Sequence, residues 1–511
     1  MSAPVSRRDF LRAAGTLPLS IGLAPLLRRM DPARQVVGNR QNVLVVVFDA
    51  FSAYHLSFLG YGRQTTPGLA RLANRAIVYH NHYAGGNFTT PGTASLLTGT
   101  LPWTHRALPI NSKVAPAFAH RTIFSGFGDY HRIAYSHNPL ANTLLKQFAS
   151  DIDDFVPQHR LFLTTDPLVY SVFGADEDTA DVAWNRAIKK QEQGYAYSLF
   201  LSELYKNYNR NRLASVAETF PRGIPNIRGD NYFLLEEAVT WLTDAIDQSP
   251  QPYLSYVHLM PPHAPCNPPR DFSGAFSNDQ YVPPDKPHDR FFRANQTRPE
   301  LLRHRIAYDE YLLYVDREFG RLFDYLEASG ALQNTWLVLT SDHGELFERG
   351  VRGHFSPLLY QAEVRVPLMI FEPGRTSRID ITTPTSVVDL LPTLLHVTGH
   401  EAAPWSEGTV LPPFAPTEPD PGRPLYCMYT NRSLQDAAIT EATVDLILGR
   451  HKLLYFFGYK EFGSTTERVE LYDVEADPEE LNDLFPTQRA LGDELLAVLK
   501  AKLREVNKQQ L

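Results

Sequence analysis

Apolar residues in this chain form two patterns: short continuous runs, and stretches in which they recur every three or four positions. The continuous runs occupy residues 42–48, 253–259, 336–340 and 366–371. They are rich in β-branched and aromatic residues and too short for buried helices, which is typical of parallel strands covered on both faces. Between Tyr308 and Leu326 the apolar positions follow helical spacing, and the pattern ends at Gly330. Thr66-Pro67 predicts the start of another helix.

The alternation of strand runs and helical stretches predicts an α/β fold with a large mixed, mainly parallel sheet and helices on both faces. We assign this larger domain, which would carry any catalytic site, to residues 38–402. The stretch from about 140 to 235 lacks strong strand runs and is interpreted as a helical insertion.

The last part of the chain has a different composition. Residues 403–424 are rich in Pro and Gly and predict a connector. Short strand patterns at Leu446, 453–457 and 469–472 precede a helical pattern from about Pro486 to Val506. Residues 403–511 are therefore predicted to form a smaller α+β subdomain.

The N-terminus, residues 1–37, is read as a signal and linker. Ser6-Arg7-Arg8-Asp9-Phe10-Leu11-Arg12 resembles a twin-arginine signal, and a weakly apolar stretch of about fifteen residues follows, too short for the roughly twenty that span a bilayer. We expect export in a folded state by the twin-arginine machinery, to the periplasm or the extracellular space. No clean Ala-x-Ala site is visible, and an uncleaved signal would leave the protein membrane-associated. The alternatives are an amphipathic surface helix with solvated arginines and a membrane anchor.

Composition excludes several classes of protein. The chain has 511 residues, 43% hydrophobic and 12% aromatic, which is enough for a large core and excludes a disordered chain. A net charge of −8 and a pI near 6.1 argue against a nucleic-acid partner. Cys266 and Cys427 are too few for a disulfide scaffold and form no CxxC pair, so we expect both to be inert.

Polar side chains follow the predicted strands. In open α/β sheets, ligands bind beyond the carboxyl ends of the strands. The residues expected at that edge are Asp49, His258, His263, Asp342 and His343. Each alone has an ordinary structural explanation, such as a helix cap or a satisfied loop residue. Together they are candidates for one site.

The segment Asn87-Phe-Thr-Thr-Pro-Gly-Thr-Ala-Ser-Leu-Leu-Thr-Gly99 predicts a helix that begins near Pro91 and ends at Gly99. Thr89 would then lie at the helix N-terminus, where free N–H groups and the helix dipole stabilise an anion. With Asp49, Asp342 and His343 it forms a mixed O/N donor set that suits Zn²⁺, Mn²⁺ or Ca²⁺. Taken alone, Thr89 and Thr90 would be simple helix caps.

Ordered sequence blocks from about Asn42 to Phe485 resemble the sulfatases and their relatives in the alkaline-phosphatase superfamily. The blocks that carry the resemblance are 42–49, 55–61, 65–67, 89–99, 257–265, 340–345, 353–354, 360–367, 389–393, 470–473 and 477–478. Carried over by position, the resemblance implies that Asp49, Thr89, Asp342 and His343 hold one divalent metal. It further implies that His263 and His354 contact the sulfate or phosphate, and that His258 assists or helps to hold a second ion.

Three positions depart from the formylglycine sulfatases in this family, which carry Cys or Ser as nucleophile and Arg four residues later. Here those positions are Thr89 and Thr93, and Ala50 stands where many sulfatases have a second aspartate. This pattern resembles the threonine-nucleophile phosphodiesterases and phospho-headgroup transferases of the superfamily.

Cys266 has no motif support as a nucleophile. His137-Asn138-Pro139 follows another candidate strand end, without further support for substrate contact.

We therefore expect an exported, metal-dependent hydrolase that cleaves phosphate or sulfate esters through a covalent Thr89 intermediate, with phosphodiesters and other phosphoryl substrates favoured. The anionic substrate would be a phospho- or sulfo-ester, carried by a lipid or a glycan. The alternatives are a sulfuric-ester hydrolase acting on glycans, a phospho-headgroup transferase, and a non-catalytic binding protein on the same fold. The sequence does not indicate the oligomeric state.

Overall fold

The computed structural model describes residues 40–163, 207, 210–227, 231–292, 294–417, 420–433, 435–463 and 467–508. The predicted export signal and much of the predicted helical insertion lie outside these residues. Within the described ranges, no helix is both long and apolar enough to cross a bilayer.

Strands and helices alternate through the first three quarters of the described chain. The strands are β1 (Asn42–Phe48), β2 (Ile77–Tyr79), β3 (His82–Tyr83), β4 (His131–Ser136), β5 (Asp154–Phe155), β6 (Tyr253–Leu259), β7 (Thr335–Thr340), β8 (Leu346–Glu348), β9 (Val351–Gly353), β10 (Leu368–Phe371), β11 (Ile379–Ile381), β12 (Thr385–Ser386), β13 (Leu425–Tyr429), β14 (Ala442–Leu448), β15 (His451–Phe457) and β16 (Glu467–Asp473). The helices are α1 (Pro67–Leu72), α2 (Thr89–Thr98), α3 (Pro102–His105), α4 (Ile123–Gly126), α5 (Pro139–Gln147), α6 (Leu235–Gln248), α7 (Arg298–Ala328), α8 (Gln361–Val364), α9 (Leu390–Val397) and α10 (Arg489–Lys508).

The central layer is an eight-stranded sheet in the order β11-β2-β10-β7-β1-β6-β4-β5. All neighbouring pairs are parallel except the two made by β10, which runs antiparallel to β7 and β2. The predicted mixed, mainly parallel sheet is confirmed. β10 begins at Leu368, two residues later than the apolar run that predicted it.

Both faces of the sheet are covered. Along β1, Val43, Val45 and Val47 pack into one apolar cluster, which includes side chains of α2, α5 and α9. The alternate residues Leu44 and Val46 pack into a second cluster, with side chains of α6 and α7. Every residue of β1 is buried, because successive side chains point to opposite, equally covered faces.

The C-terminal part forms the antiparallel sheet β13-β14-β15-β16 with α10, as the predicted smaller α+β unit requires. Strand β13 contains Cys427 and has no counterpart among the predicted strands. Leu495 and Leu499 of α10 belong to the same apolar cluster as Val444 and Leu453 of the sheet.

Two helix starts differ from the expected ones. Helix α7 begins ten residues before Tyr308, at a capping box formed by Thr297 and Glu300. Helix α1 begins at Pro67 as predicted, but the side chain of Thr66 caps nothing. The Asp316 carboxylate of α7 instead accepts the N–H groups of Gly68 and Leu69, at 2.7 Å each. A distant carboxylate therefore replaces the local cap.

Candidate active site

Three neighbouring strands bring the predicted site residues together at one edge of the sheet. In the parallel register, Val47 of β1 lies beside His258 of β6 and Thr340 of β7. Asp49 and Asp342 each follow the last strand residue by one or two positions, so their side chains meet. His258 Nε2 lies 3.2 Å from Asp49 Oδ2 and 3.7 Å from Asp342 Oδ2.

Helix α2 places Thr89 in this cluster. Thr89 is its first residue and is buried, and Gly99 ends the helix with φ of 66°, as the sequence predicts. Thr89 Oγ1 lies 3.4 Å from His343 Nε2. Gly92 allows the close approach, because a Cβ there would lie 2.3 Å from the carbonyl oxygen of Asp342. The glycine is thus a packing requirement of the site.

The cluster has the donor atoms that a divalent cation needs. Asp49, His258 and Asp342 offer ligand atoms that all lie within 4.8 Å of one another. His343 donates from Nδ1 to the Gly344 carbonyl at 2.8 Å, which leaves its Nε2 lone pair facing the carboxylates at 3.5 and 3.6 Å. Asp49 Oδ1 is buried and makes no hydrogen bond. Two carboxylates, imidazole nitrogens and a hydroxyl fit Zn²⁺, Mn²⁺ or Ca²⁺.

The electrostatics of the two carboxylates differ. Burial opposes ionisation of Asp49, but the imidazoles of His263, His258 and His343 lower its pKa well below the usual range. Burial and the neighbouring Asp49 charge raise the pKa of Asp342. Two buried carboxylates this close repel each other, and a cation between them would relieve that repulsion.

The surroundings shift the pKa values of two histidines of the cluster in opposite directions. Burial lowers the pKa of His343, which favours the neutral ring that can ligate a metal. Burial acts the same way on His258, but Asp342 and Asp49 outweigh it and raise the pKa of His258. His258 Nε2 lies close to both carboxylates, so His258 is an additional ligand candidate beside His343.

His263 and His354 line the outer side of the cluster. The His354 ring lies 4.3 Å from that of His343 and 4.9 Å from that of His263, measured between ring centroids. His354 donates from Nδ1 to Glu345 Oε2 at 2.8 Å, and its buried Nε2 has no partner. Both histidines border a cavity of about 630 Å³. The cavity is also lined by Phe291, Phe292, Arg352, Phe355 and Glu461.

The three departures noted in the sequence have clear structural counterparts. Thr93 Oγ1 donates to Asp342 Oδ2 at 3.3 Å, so this position supplies a short neutral donor to a carboxylate. Ala50 has φ of 58°, and its N–H lies 3.4 Å from Asp342 Oδ1. No arginine side chain is hydrogen-bonded to Thr89, Asp49 or Asp342 among the described contacts.

Two residues of the site were assigned no role from the sequence. Asn138 donates from Nδ2 to Thr89 Oγ1 at 3.1 Å and to Asp49 Oδ2. Glu345 orients His354 through the bond described above. Asn138 follows a strand, which was a usable signal, whereas the partner of Glu345 could not be read from the sequence. The ring of the adjacent His137 lies 4.6 Å from that of Phe233, measured between ring centroids, at an interplanar angle of 30°.

The two cysteines lie outside this constellation. Cys266 packs beside the apolar cluster under α7, and Cys427 is fully buried in β13. Both are free thiols. Burial raises the pKa of each thiol, which disfavours the reactive thiolate. This agrees with the expectation that neither is a nucleophile.

Comparison with known proteins gives matches over most of the chain. Residues 41–400 match the family profile described as Sulfatase, and residues 350–509 match the profile described as N-sulphoglucosamine sulphohydrolase, C-terminal. The choline-sulfatase of Rhizobium meliloti is 25% identical over 480 residues, covering 89% of this chain and 84% of that protein. The ulvan-active sulfatase of Formosa agariphila is 24% identical, with 91% and 82% covered.

The fold is also similar to that of solved structures. The crystal structure of the phosphonate monoester hydrolase of Agrobacterium radiobacter superposes with a TM-score of 0.66 at 19% identity, covering 92% of this chain and 96% of that one. Members of the matched family usually bind a divalent metal, in line with the donor set at the sheet edge. The chain belongs to the sulfatase family of the alkaline-phosphatase superfamily and is an ester-hydrolysing enzyme.

Proposed function

We propose that this enzyme cleaves phosphate or sulfate esters through a covalent intermediate on Thr89, and that phosphodiesters and other phosphoryl esters are its favoured substrates. The observation that carries the proposal is the position of Thr89 Oγ1. It lies at the first residue of a buried helix, 3.4 Å from His343 Nε2 and beside the paired carboxylates. A hydroxyl in that environment is suited to nucleophilic attack.

Asp49, Thr89, Asp342 and His343 would hold the divalent metal, with His258 as a further ligand candidate. A metal bound there would lower the pKa of the Thr89 hydroxyl, so that this hydroxyl loses its proton to water, and would neutralise charge on the ester oxygens. The N-terminal N–H groups of α2 add positive potential at the same place.

The reaction takes two displacements. Deprotonated Thr89 Oγ forms a bond to phosphorus while the bond from phosphorus to the leaving oxygen breaks, and that oxygen takes its electron pair and a proton from His354 Nε2. Water then attacks phosphorus, gives a proton back to His354, and the bond to Thr89 Oγ breaks. The unpartnered Nε2 of His354 and its bond to Glu345 support this role.

A threonine nucleophile favours phosphoryl esters over sulfuryl esters as substrates. A formylglycine hydrate releases sulfate by breaking its own carbon–oxygen bond, because the same carbon bears a second hydroxyl. A threonine ester has no such hydroxyl, so its second step must be attack on phosphorus or sulfur. Metals and helix N–H groups assist that step best at the more highly charged phosphoryl centre.

The cavity beside His354 is the proposed leaving-group side of the site. Its lining includes His263, His354 and Glu345. Phe291 and Phe355 give its walls apolar surface, and Phe355 is 46% exposed. An ester whose alcohol has an apolar face would fill this space while its phosphoryl group contacts Thr89.

The test is a panel of nitrophenyl phosphate monoesters, phosphodiesters, phosphonates and sulfate, each assayed with Zn²⁺, Mn²⁺ and Ca²⁺. We expect the highest kcat/KM for phosphodiesters or phosphonates, and a phosphorylated Thr89 peptide by mass spectrometry after rapid quench. Thr89→Ala should abolish turnover and Thr89→Ser should retain part of it. A much higher kcat/KM for the sulfate ester, or an active Thr89→Ala variant, would contradict the proposal.

The second candidate function is sulfate-ester hydrolysis on a glycan. It is favoured by the named activity of relatives such as the ulvan-active sulfatase. In the same assay, sulfate release from a sulfated glycan without phosphodiester turnover would support it. Transfer of the phospho-headgroup to an added alcohol would instead indicate a transferase. A metal-free, inactive chain would favour a binding protein.

Export by the twin-arginine route is part of the proposal. It rests on Arg7-Arg8 and on the apolar stretch after them. A metalloenzyme that takes up its metal in the cytoplasm has to cross the membrane folded, which this route allows. We therefore propose a periplasmic or extracellular location.

A further inference from the structure

We propose that Asn138 is a catalytic residue whose side-chain amide stabilises negative charge on Thr89 Oγ and holds Asp49 in place for the metal. The inference rests on the proposed nucleophilic role of Thr89. Asn138 is only 2% exposed. Its Nδ2 donates both to Thr89 Oγ1, at 3.1 Å, and to Asp49 Oδ2.

The orientation of the amide is determined by the helix that follows. Asn138 is the N-cap of α5, and its Oδ1 accepts the N–H groups of Leu140 at 2.7 Å and Ala141 at 3.4 Å. A flipped amide would place Nδ2 against those two donors. Both Nδ2 hydrogens therefore point away from the helix and into the site.

The contact with Asp49 gives the two oxygens of that carboxylate different surroundings. Oδ2 is engaged by Asn138 and by His258 Nε2 at 3.2 Å. Oδ1 is buried without a hydrogen-bond partner and lies 3.5 Å from His343 Nε2. The amide thus turns the free oxygen toward the other metal-ligand candidates, as outer-shell donors commonly do.

The contact with Thr89 acts on the reacting atom itself. Thr89 Oγ is negatively charged before it attacks, and again when the covalent ester breaks in the second step. A preoriented N–H at 3.1 Å stabilises the oxygen in both steps without reorganisation. The described contacts of Thr89 include no arginine, so this neutral donor performs part of the charge stabilisation that a guanidinium would otherwise supply.

Substitutions of Asn138 can distinguish its helix-capping function from its function as a hydrogen-bond donor to Thr89 and Asp49. Ser and Asp are good N-caps that lack the NH₂ group, whereas Ala removes both functions. The local turn does not depend on the amide, because the Asn138 N–H donates to Ser136 Oγ at 3.0 Å. Asn138→Ser is therefore the main variant and Asn138→Ala the cap-deficient one. Asn142→Ser, one turn later on the same helix, is the matched control.

The experiment measures the rate of Thr89 phosphorylation by a nitrophenyl phosphodiester in single-turnover quench experiments, together with Zn²⁺ retention against a chelator and Tm. For Asn138→Ser we expect phosphorylation to slow by roughly 10²- to 10³-fold, the usual cost of losing one preoriented donor. Zn²⁺ affinity should fall about 10- to 100-fold. In the Asn142→Ser variant, Thr89 should be phosphorylated at the wild-type rate.

Two results would overturn the inference. One is wild-type labelling and wild-type Zn²⁺ retention in Asn138→Ser. The other is loss of both only in Asn138→Ala together with a lowered Tm, which would make Asn138 a helix cap alone. Absence of Thr89 labelling in the wild-type protein is a different result, since it would refute the proposed nucleophile. The Zn²⁺ retention of Asn138→Ser would then still test the contact with Asp49.

Discussion

Replacing Gly92 with alanine should damage the active site through a single methyl group. The new Cβ would lie 2.3 Å from the carbonyl oxygen of Asp342, about 1 Å short of ordinary van der Waals contact. Neither partner has room to yield: α2 is buried along its whole length, and Asp342 is fully buried at the end of β7. The helix and the Asp342 loop must move apart, which separates Thr89 from Asp342.

Two magnitudes follow for Gly92→Ala. Overpacking of this kind costs about 1–3 kcal/mol, part of which the better helix propensity of alanine offsets. With about 2.1 cal/mol/K of unfolding entropy per residue, the full cost corresponds to a Tm decrease of roughly 1–3 °C, and the offset makes the observed decrease smaller. A displacement near 1 Å between nucleophile and metal ligands can cost about 10²-fold in rate. Activity should therefore fall far more than stability.

The assay compares kcat/KM, metal content and Tm of Gly92→Ala with those of Gly320→Ala. Gly320 lies within helix α7, and a Cβ there would meet no atom within 4 Å. The control should be as active as wild type and slightly more stable, because it gains only helix propensity. Wild-type kcat/KM in Gly92→Ala would refute the reasoning, since it would show that the approach of α2 to Asp342 does not control the site.

Three further predictions concern the metal, the pH dependence of stability and export. Asp49→Asn and Asp342→Asn should each fold but lose metal affinity by more than roughly 100-fold, measured by dialysis and elemental analysis; full metal content and activity in either variant would remove that carboxylate from the site. Burial raises the pKa of Asp316 to about 6. Because this folded-state pKa exceeds the unfolded value, its contribution to stability is complete below about pH 4 and is lost as pH rises through 6. Asp316→Asn should therefore lose less stability than wild type between pH 4 and 7 in urea unfolding, and identical pH profiles would contradict this. Replacing Arg7 and Arg8 with lysine should leave the protein in the cytoplasm, and unchanged delivery in cell fractionation would show that the N-terminus is recognised in another way.

The sequence was sufficient to predict the fold class and the meeting of several polar side chains at one edge of the sheet. The short, β-branched apolar run 42–48 is typical of a buried strand in a doubly covered sheet, and the helical spacing at 308–326 is typical of an amphipathic helix; the structure has both elements. Because parallel strands end at a common edge, the polar residues after them were expected to meet. The structure places Asp49, His258 and Asp342 together there.

Other features depended on contacts between residues far apart in the chain. The cap of α1 comes from Asp316, 248 positions away from Gly68, so no local pattern shows it. The antiparallel direction of β10 is likewise a matter of topology, since an apolar run is compatible with either direction.

Within the site, the sequence determined which ligand types are available, whereas the tertiary structure decided how they are oriented. Thr89 and Asp49 were recognisable because helix starts and strand ends have local signatures. The contacts of Asn138 and Glu345 were not, because each is a side-chain hydrogen bond to a partner that only folding brings within reach. Hydrogen bonds act over about 3 Å, and the distance along the chain between such partners has no fixed relation to their distance in space.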